Sequence, residues 1–378
     1  MEKEPLKFFI VAGEPSGDLH GGKLIQAIQA KEPNSSFMGH GGNHMKEAGM
    51  QILEHSDDLA MMGFVEVIKH LPRMMGIMGK TVDTIARVKP NRVILIDYPG
   101  FNLRLAKRIQ HLNIPVTYFI LPQVWAWKEK RVEIMKRTLD QALSIFPFEQ
   151  EWFESNGLPA NYVGHPFAEQ SHVDEDSKSF YQRHGLTIEH PILVLLPGSR
   201  QQEVDRHWPI FLETVDQLKA TNPDLQTMVG KAPNVSLSPL PKDYIIEEDS
   251  KKAIVTATVA LASSGTVTLE CAVEDTPLVV CYKLSTSSWF LAQRLTHVKY
   301  ASMVNLIIDQ PLVPELLQHH MTPENLTEAI LPLLDSKNPK RKKMLSGFDQ
   351  VRRTLGIPGV YERAADAILL RMRESHVD

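Results

Sequence analysis

With 378 residues, 43% of them hydrophobic and 23% charged, the chain exceeds what one hydrophobic core usually serves, so two domains are expected. The formal net charge of −4 lacks the basic field of a duplex-binding protein, and nucleic acid is not an expected partner. Two cysteines, Cys271 and Cys281, are too few for a disulfide framework and are expected to be reduced, buried thiols.

The opening "MEKEPLKFF" mixes acids with a short apolar run and does not read as a signal peptide. No stretch reaches the ~20 apolar residues of a spanning helix. The expectation is a cytoplasmic protein whose contact with a membrane, where it has one, is peripheral. "KFFIVAG" predicts a first buried strand, and "GEPSGDLHGG" turns it into the helix "GGKLIQAIQAKE". The corner is rich in small residues but is neither G-x-G-x-x-G nor followed by Gly-Lys-Ser/Thr, so neither familiar phosphate loop is present. His40 and His44 in "GHGGNH", and His165 in "VGHP", lack zinc-ligand spacing, and no metal is predicted.

The segment 61–80, "MMGFVEVIKHLPRMMGIMGK", repeats Phe64, Ile68, Leu71, Met75 and Met78 at helical spacing. Val65, Val67 and Met74 widen that stripe, and Lys69, Arg73 and Lys80 lie among them. Pro72 is expected to divide it into two short helices. A core helix is one reading; the other is an interfacial pair with apolar side chains in a membrane and cations near lipid phosphates. "RVILIDYPGFN" ends a buried strand in Asp97, placed to accept a proton from an alcohol. The competing reading is a cap for the helix that follows, a role Asn102 also fits. "VTYFILP" and "ALSIFPF" are further strands. Between them "LPQVWAWKEKR" carries Trp125 and Trp127, which packing explains best, although indole faces also suit sugar rings.

The polar stretch 167–180 ("FAEQSHVDEDSKSF") marks a domain boundary, and its Asp174 and Asp176 read as a solvated acidic run. The strand pattern then restarts with "ILVLLPGSR", "LQTMVG" and "PLVVCYK". Gly198, Ser199 and Arg200 sit at a strand end before the helix "EVDRHWPIFLETVDQLKA". Glycine allows close backbone approach there, and serine and arginine suit phosphate; the competing reading is a turn with a solvated arginine. "ALASSGTVTLE" ends a strand in Ser264-Gly265-Thr266 and opens a helix, with Ser264 or Thr266 as its cap. The free N–H groups and dipole of that helix favour a diphosphate, and Glu270, one turn in, could accept from ribose hydroxyls. From about Pro311 the chain turns mostly helical. Alternating strands and helices predict an α/β protein of βαβ units with ligands at the carboxyl ends of the strands.

The ordered series "VAGEPSGD", "MGFVEV", "IDYPGFN", "VWAWKEKR", "FPFE", "VGHP", "LLPGSR", "SSGTVTLE" and "VNLI" resembles the lipid-A-disaccharide synthases, almost end to end. That resemblance implies a GT-B glycosyltransferase: two Rossmann-like domains facing each other across a cleft, with a helical C-terminal tail. The divisions are then 1–167 for the acceptor, 168–349 for the UDP-sugar, and 350–378 packing back on the first domain or on a partner protomer. The implied reaction joins UDP-2,3-diacylglucosamine to 2,3-diacylglucosamine 1-phosphate (lipid X) with inversion, giving lipid A disaccharide 1-phosphate and UDP. Asp97, Glu14 and Arg200 match catalytic positions, Asp97 as the family's base, and Ser16 and Gly17 with Glu14 match the acceptor corner. Arg200, Glu270 and Asn305 fall on positions tied to nucleotide binding or catalysis. The resemblance further implies no cofactor or metal, a homodimer, and peripheral attachment of Phe64–Met78 to the cytoplasmic face of the inner membrane of a Gram-negative-type bacterium. One departure stands out: between "LQTMVG" and "AIVTATVA" the family carries another amphipathic helix, where this chain is short and proline-rich.

Overall fold

The computed structural model describes residues 5–60, 67–127, 129–169, 177–233, 235–285, 289 and 299–374. The chain forms two units: Met1–Glu169 with Ile357–Asp378, and Gln170–Gly356. The first turnover falls two residues after the position the sequence marked. The second falls later than residue 349, because the helix Pro339–Leu355 runs on to Gly356, which ends it at φ 91°.

In the first unit the described strands are β1 (Lys7–Ala12), β2 (Ser36–Gly41), β3 (Gln51–His55), β4 (Arg92–Ile96), β5 (Val116–Phe119), β6 (Gln141–Ser144) and β7 (Asn161–Tyr162). They form one parallel sheet in the order β3-β2-β1-β4-β5-β6-β7. Strands β1 and β4 are buried on both faces from Phe8 and Arg92 onward, which is why each reads as a continuous apolar run. β2, "SFMGHG", has no such run and carries no strand signal in the sequence. A Cβ at its Gly39 would overlap the carbonyl of Ile10 on β1, so the strand needs glycine there.

The second unit holds β8 (Ile192–Leu196), β9 (Gln226–Gly230), β10 (Ile245–Glu247), β11 (Val259–Ser263), β12 (Leu278–Tyr282) and β13 (Glu315–Leu317). These are also all parallel, in the order β10-β9-β8-β11-β12-β13. β13 lies within the stretch expected to be mostly helical. After Gly230 the proline-rich segment leads to β10 and then to the helix Ser250–Thr256, which Asp249 caps by accepting from the N–H groups of Lys251 and Lys252.

In both sheets the chain winds outward in one direction and then restarts beside the first strand. The reversal lies between β1 and β4 in one unit and between β8 and β11 in the other. Such switch points leave a crevice at the carboxyl ends of the two central strands, where open α/β sheets bind ligands.

Val67–Val88 is a single helix with Pro72 inside it, not two. Pro72 is its sixth residue and exposed, so the cost is confined to one early backbone bond. The last helix, Val360–Glu374, packs on the helix Pro15–Lys31 of the first unit. Tyr361 Oη lies 2.9 Å from His20 Nδ1, and Glu169 Oε1 accepts from the N–H groups of Gly359 (2.9 Å) and Val360 (2.6 Å). Both cysteines are free and buried.

Candidate active site

In the first unit, Ala12 pairs with Ile96 at the ends of β1 and β4, so Glu14 and Asp97 leave the sheet on neighbouring strands. Asp97 and Tyr98 are both left-handed, at φ 44° and 49°. This backbone form is unfavourable for residues other than glycine and persists only where the surroundings impose it. Burial, and then the charge of Glu14, pushes the Asp97 carboxyl up from the usual 3.8 to about 6, while the Tyr98 N–H pulls the other way. Asp97 is not a helix cap: the helix Pro99–Ile109 starts from Tyr98 without side-chain capping. Asn102 is fully buried and caps nothing either. Its Nδ2 donates to the carbonyls of Asp97 (2.7 Å), Ile96 (3.2 Å) and Val11 (3.4 Å).

The small residues of "GEPSGDLHGG" serve packing more than ligand approach. A Cβ at Gly13 would overlap the Tyr98 ring, and one at Gly17 would come within 3.2 Å of the Ala12 Cβ. Gly17 is buried against its own strand, and Ser16 is exposed. Gly21 and Gly22 let the helix Asn43–Glu47 approach closely. Asp18, which no motif singles out, is buried and accepts from the N–H groups of Gly42, His44 and Met45 at 2.6–3.0 Å. Trp125 is buried, and its Nε1 donates to Glu149 at 3.1 Å; burial raises that carboxyl to about 7.

In the second unit, Leu196 of β8 pairs with Ala262 of β11, which sets the Pro197–Arg200 and Ser263–Thr266 corners side by side. Gly198 has φ 129°, and a Cβ there would come within 2.8 Å of the Glu203 side chain. Glu203 ties this corner down, accepting from Ser199 N–H at 3.2 Å and from Tyr282 Oη at 2.9 Å. The Arg200 side chain is 77% exposed, with Nη1 3.6 Å from Glu203. His207 is held neutral: Nδ1–H donates to the Pro197 carbonyl while Nε2 accepts from Lys283 N–H.

The helix Thr266–Val273 starts from Gly265 with no side-chain cap, so neither Ser264 nor Thr266 plays the capping role expected. Ser264 Oγ donates instead to the Ala301 carbonyl at 2.7 Å. A Cβ on Gly265 would meet nothing within 4 Å, so the helix start opens to space. Burial raises the Glu270 carboxyl to about 7, with Lys251 pulling it down and Glu274 and Asp249 adding to the rise. Among the described residues no group of three or more His, Cys, Asp or Glu is placed to hold a metal.

Residues 8–362 match the family described as lipid-A-disaccharide synthetase. The chain is 38% identical to the lipid-A-disaccharide synthase of Solibacter usitatus (strain Ellin6076) over 382 residues, covering 98% of this chain and 99% of that protein. The chain belongs to the lipid-A-disaccharide synthase family. Its fold is similar to that of the kitacinnamycin glycotransferase, with TM-score 0.66 at 14% identity, covering 98% of this chain and 100% of that one. It is also similar to the UDP-GlcNAc 2-epimerase of Neisseria meningitidis bound to UDP-GlcNAc, with TM-score 0.67 at 11% identity and coverage of 98% and 100%. As a lipid-A-disaccharide synthase, the chain is a glycosyltransferase with the two-Rossmann-domain GT-B fold.

Other residues marked in the synthase's sequence fall differently. Asn305 is 1% exposed and its side chain is wholly engaged. Nδ2 donates to Val313 O and Glu315, and Oδ1 accepts from the N–H groups of Leu312 and Val313. Glu315 in turn accepts from the N–H groups of Ala301 and Ser302. Asn305 and Glu315 together fix the backbone that receives Ser264. Of the apolar stripe, Phe64 and Val65 lie outside the described residues, as do the side chains of Ile68 and Leu71. Met75 is 57% exposed, Met74 is half-buried against the core, and Met78 at 5% belongs to the core, which removes it from any lipid-facing patch. Asp174 and Asp176 lie outside the described residues. No helix among the described residues is long and apolar enough to cross a membrane.

Proposed function

We propose that this synthase transfers the diacylglucosaminyl group of UDP-2,3-diacylglucosamine to a hydroxyl of 2,3-diacylglucosamine 1-phosphate, with inversion and without a metal. Asp97 takes the proton of the acceptor hydroxyl as its oxygen attacks the anomeric carbon. The anomeric C–O bond to the diphosphate breaks, UDP leaves with the electron pair, and an α-linked donor becomes a β-linked product. One observation carries this reading: a carboxylate at a switch point, raised to about 6 by burial and Glu14, is ionised at neutral pH yet basic enough to accept a proton.

The second unit supports donor binding. Uncapped helix starts at Arg200 and Gly265, with the exposed guanidinium of Arg200, suit the charge that develops on UDP. Gly198 and Ser199 shape the first corner, Ser264 and Thr266 the second, and Glu270 is the candidate acceptor for ribose hydroxyls. Both substrates are acylated. The exposed Met75, with Phe64, Val65, Ile68, Leu71 and Met74, is assigned to the cytoplasmic face of the inner membrane, and a homodimer is the expected assembly. The test is incubation of the pure protein with both substrates, with and without a chelator. Disaccharide should form and survive chelation; no product would sink the substrate assignment, and a strict metal requirement would sink the mechanism. Asp97→Asn should abolish turnover and leave UDP binding nearly intact.

A further inference from the structure

We propose that Tyr118 and Asn102 are positioning residues for Asp97, two buried donors that converge on one carbonyl and hold the base in its unfavourable backbone form. The proposal rests on the reading of Asp97 as the base.

Tyr118 on β5 is fully buried, and its Oη donates to the Asp97 carbonyl at 2.5 Å. Asn102 Nδ2 donates to the same oxygen at 2.7 Å, from the first turns of the helix that follows. These donors reach Asp97 from different elements, one beside β4 and one after it, and so fix the carbonyl in two directions. With the carbonyl fixed, ψ at Asp97 is fixed, and the Cα–Cβ bond with its carboxyl is aimed by the same constraint. The left-handed pair Asp97–Tyr98 would otherwise relax, since neither residue is glycine and no side chain caps the helix. Asn102 also reaches Ile96 O and Val11 O, which locks the pinned residue to the ends of β4 and β1, where Glu14 departs.

Among the described residues Asn102 Oδ1 is buried without a partner, so the side chain is oriented for its donor end. A residue serving only to fill the core would bring no unpaired oxygen with it. The titratable and charged groups around Asp97 are Glu14 from the β1 corner, its neighbour Tyr98, and Tyr118, whose hydroxyl also feels Arg131. Freed of its two pins, the carboxyl would turn away from Glu14 toward solvent and titrate lower.

The experiment measures kcat, KM and the pH profile of kcat/KM for the full chain with both lipid substrates in Tyr118→Phe and Asn102→Ser, beside Asp97→Asn. For each of the first two, kcat should fall about tenfold to a hundredfold with KM moving less than about threefold. The acid limb of the profile should move from about 6 toward the ordinary carboxylate range. A purely structural role would lower the melting temperature and leave the limb in place. Wild-type kcat and an unmoved limb in either folded variant would overturn the proposal while leaving the base assignment standing. Should Asp97→Asn turn over normally, the base reading itself fails and takes this one with it. Should Tyr118→Phe not fold, Asn102→Ser decides alone; if neither folds, the two are core residues and the proposal is wrong.

Discussion

Asp97→Asn should make the protein more stable at alkaline pH even as it removes activity. The folded-state carboxyl sits at about 6 against the usual 3.8 for an unfolded chain. A folded pKa above the unfolded one means the folded state holds its proton more tightly. Below about pH 3.8 both states are protonated and the site costs nothing; between about 3.8 and 6 the unfolded chain has lost the proton that the folded state keeps, so stability falls across that window, and above 6, where both states are ionised, the full cost of a buried charge beside Glu14 remains. About two pH units at 1.36 kcal/mol each set a ceiling of about 3 kcal/mol. Remaining solvent contact trims this, and a unit of this size shifts by about 2–4 °C per kcal/mol, so a rise of about 3–6 °C is expected. The assay is thermal melting of both proteins at pH 8 and again near pH 4.5. The gap should be full at pH 8 and shrink toward acid. An Asn variant that melts lower than wild type at pH 8, or a gap that ignores pH, would refute the account of why Asp97 titrates high.

Three further outcomes follow from particular contacts. Gly198→Ala places a Cβ against Glu203 at φ 129°, so affinity for UDP should drop at least about tenfold and stability by about 1–3 kcal/mol, read by titration calorimetry and melting. Met75→Ser should weaken binding to anionic phospholipid vesicles with an unchanged melting temperature, whereas Met78→Ser should cost about 2–4 kcal/mol, because only Met78 is in the core. Trp125 fluorescence, isolated by difference against Trp125→Phe, should titrate near pH 7 as Glu149 ionises, and the titration should vanish in Glu149→Gln.

Much of the fold was legible because the central strands are buried on both faces, and continuous apolar runs such as "RVILI" and "ILVLL" have no other economical explanation. The edge strands β3, β7, β10 and β13 are short or mixed and carry no such signal, and β2 is disguised by the glycines its neighbour demands. Pro72 misled for a local reason, since proline near a helix start costs less than proline at its centre. At the site, Asp97 and the two corners of the second unit read as strand-end chemistry, while Glu14 came only with the family resemblance. The residues that hold them were not. Asn102 reads as a rival cap until three carbonyls, one of them 91 residues away, are seen around it. Asp18, Tyr118 and Glu315, and Glu203 through Tyr282, likewise act across sequence distances that periodicity cannot span. Asn305 shows the converse, a residue whose motif points to ligand and whose geometry points inward.

The two switch points also divide the electrostatic work. In the second unit the corners offer backbone N–H groups and a guanidinium, which favour an anion. In the first, among the described residues, neither Glu14 nor Asp97 forms an ion pair. An arginine beside Asp97 would relieve the burial cost and stabilise the fold, but it would also pull the carboxyl down by about 1–3 units and leave a base too weak to take an alcohol's proton. Glu14 does the reverse, raising basicity at a cost in stability. The backbone around Asp97 is accordingly held by neutral donors, Tyr118 and Asn102, which can fix position without neutralising charge. A base that must stay ionised, basic and fixed at once is best anchored by groups that bond its backbone and leave its carboxylate alone.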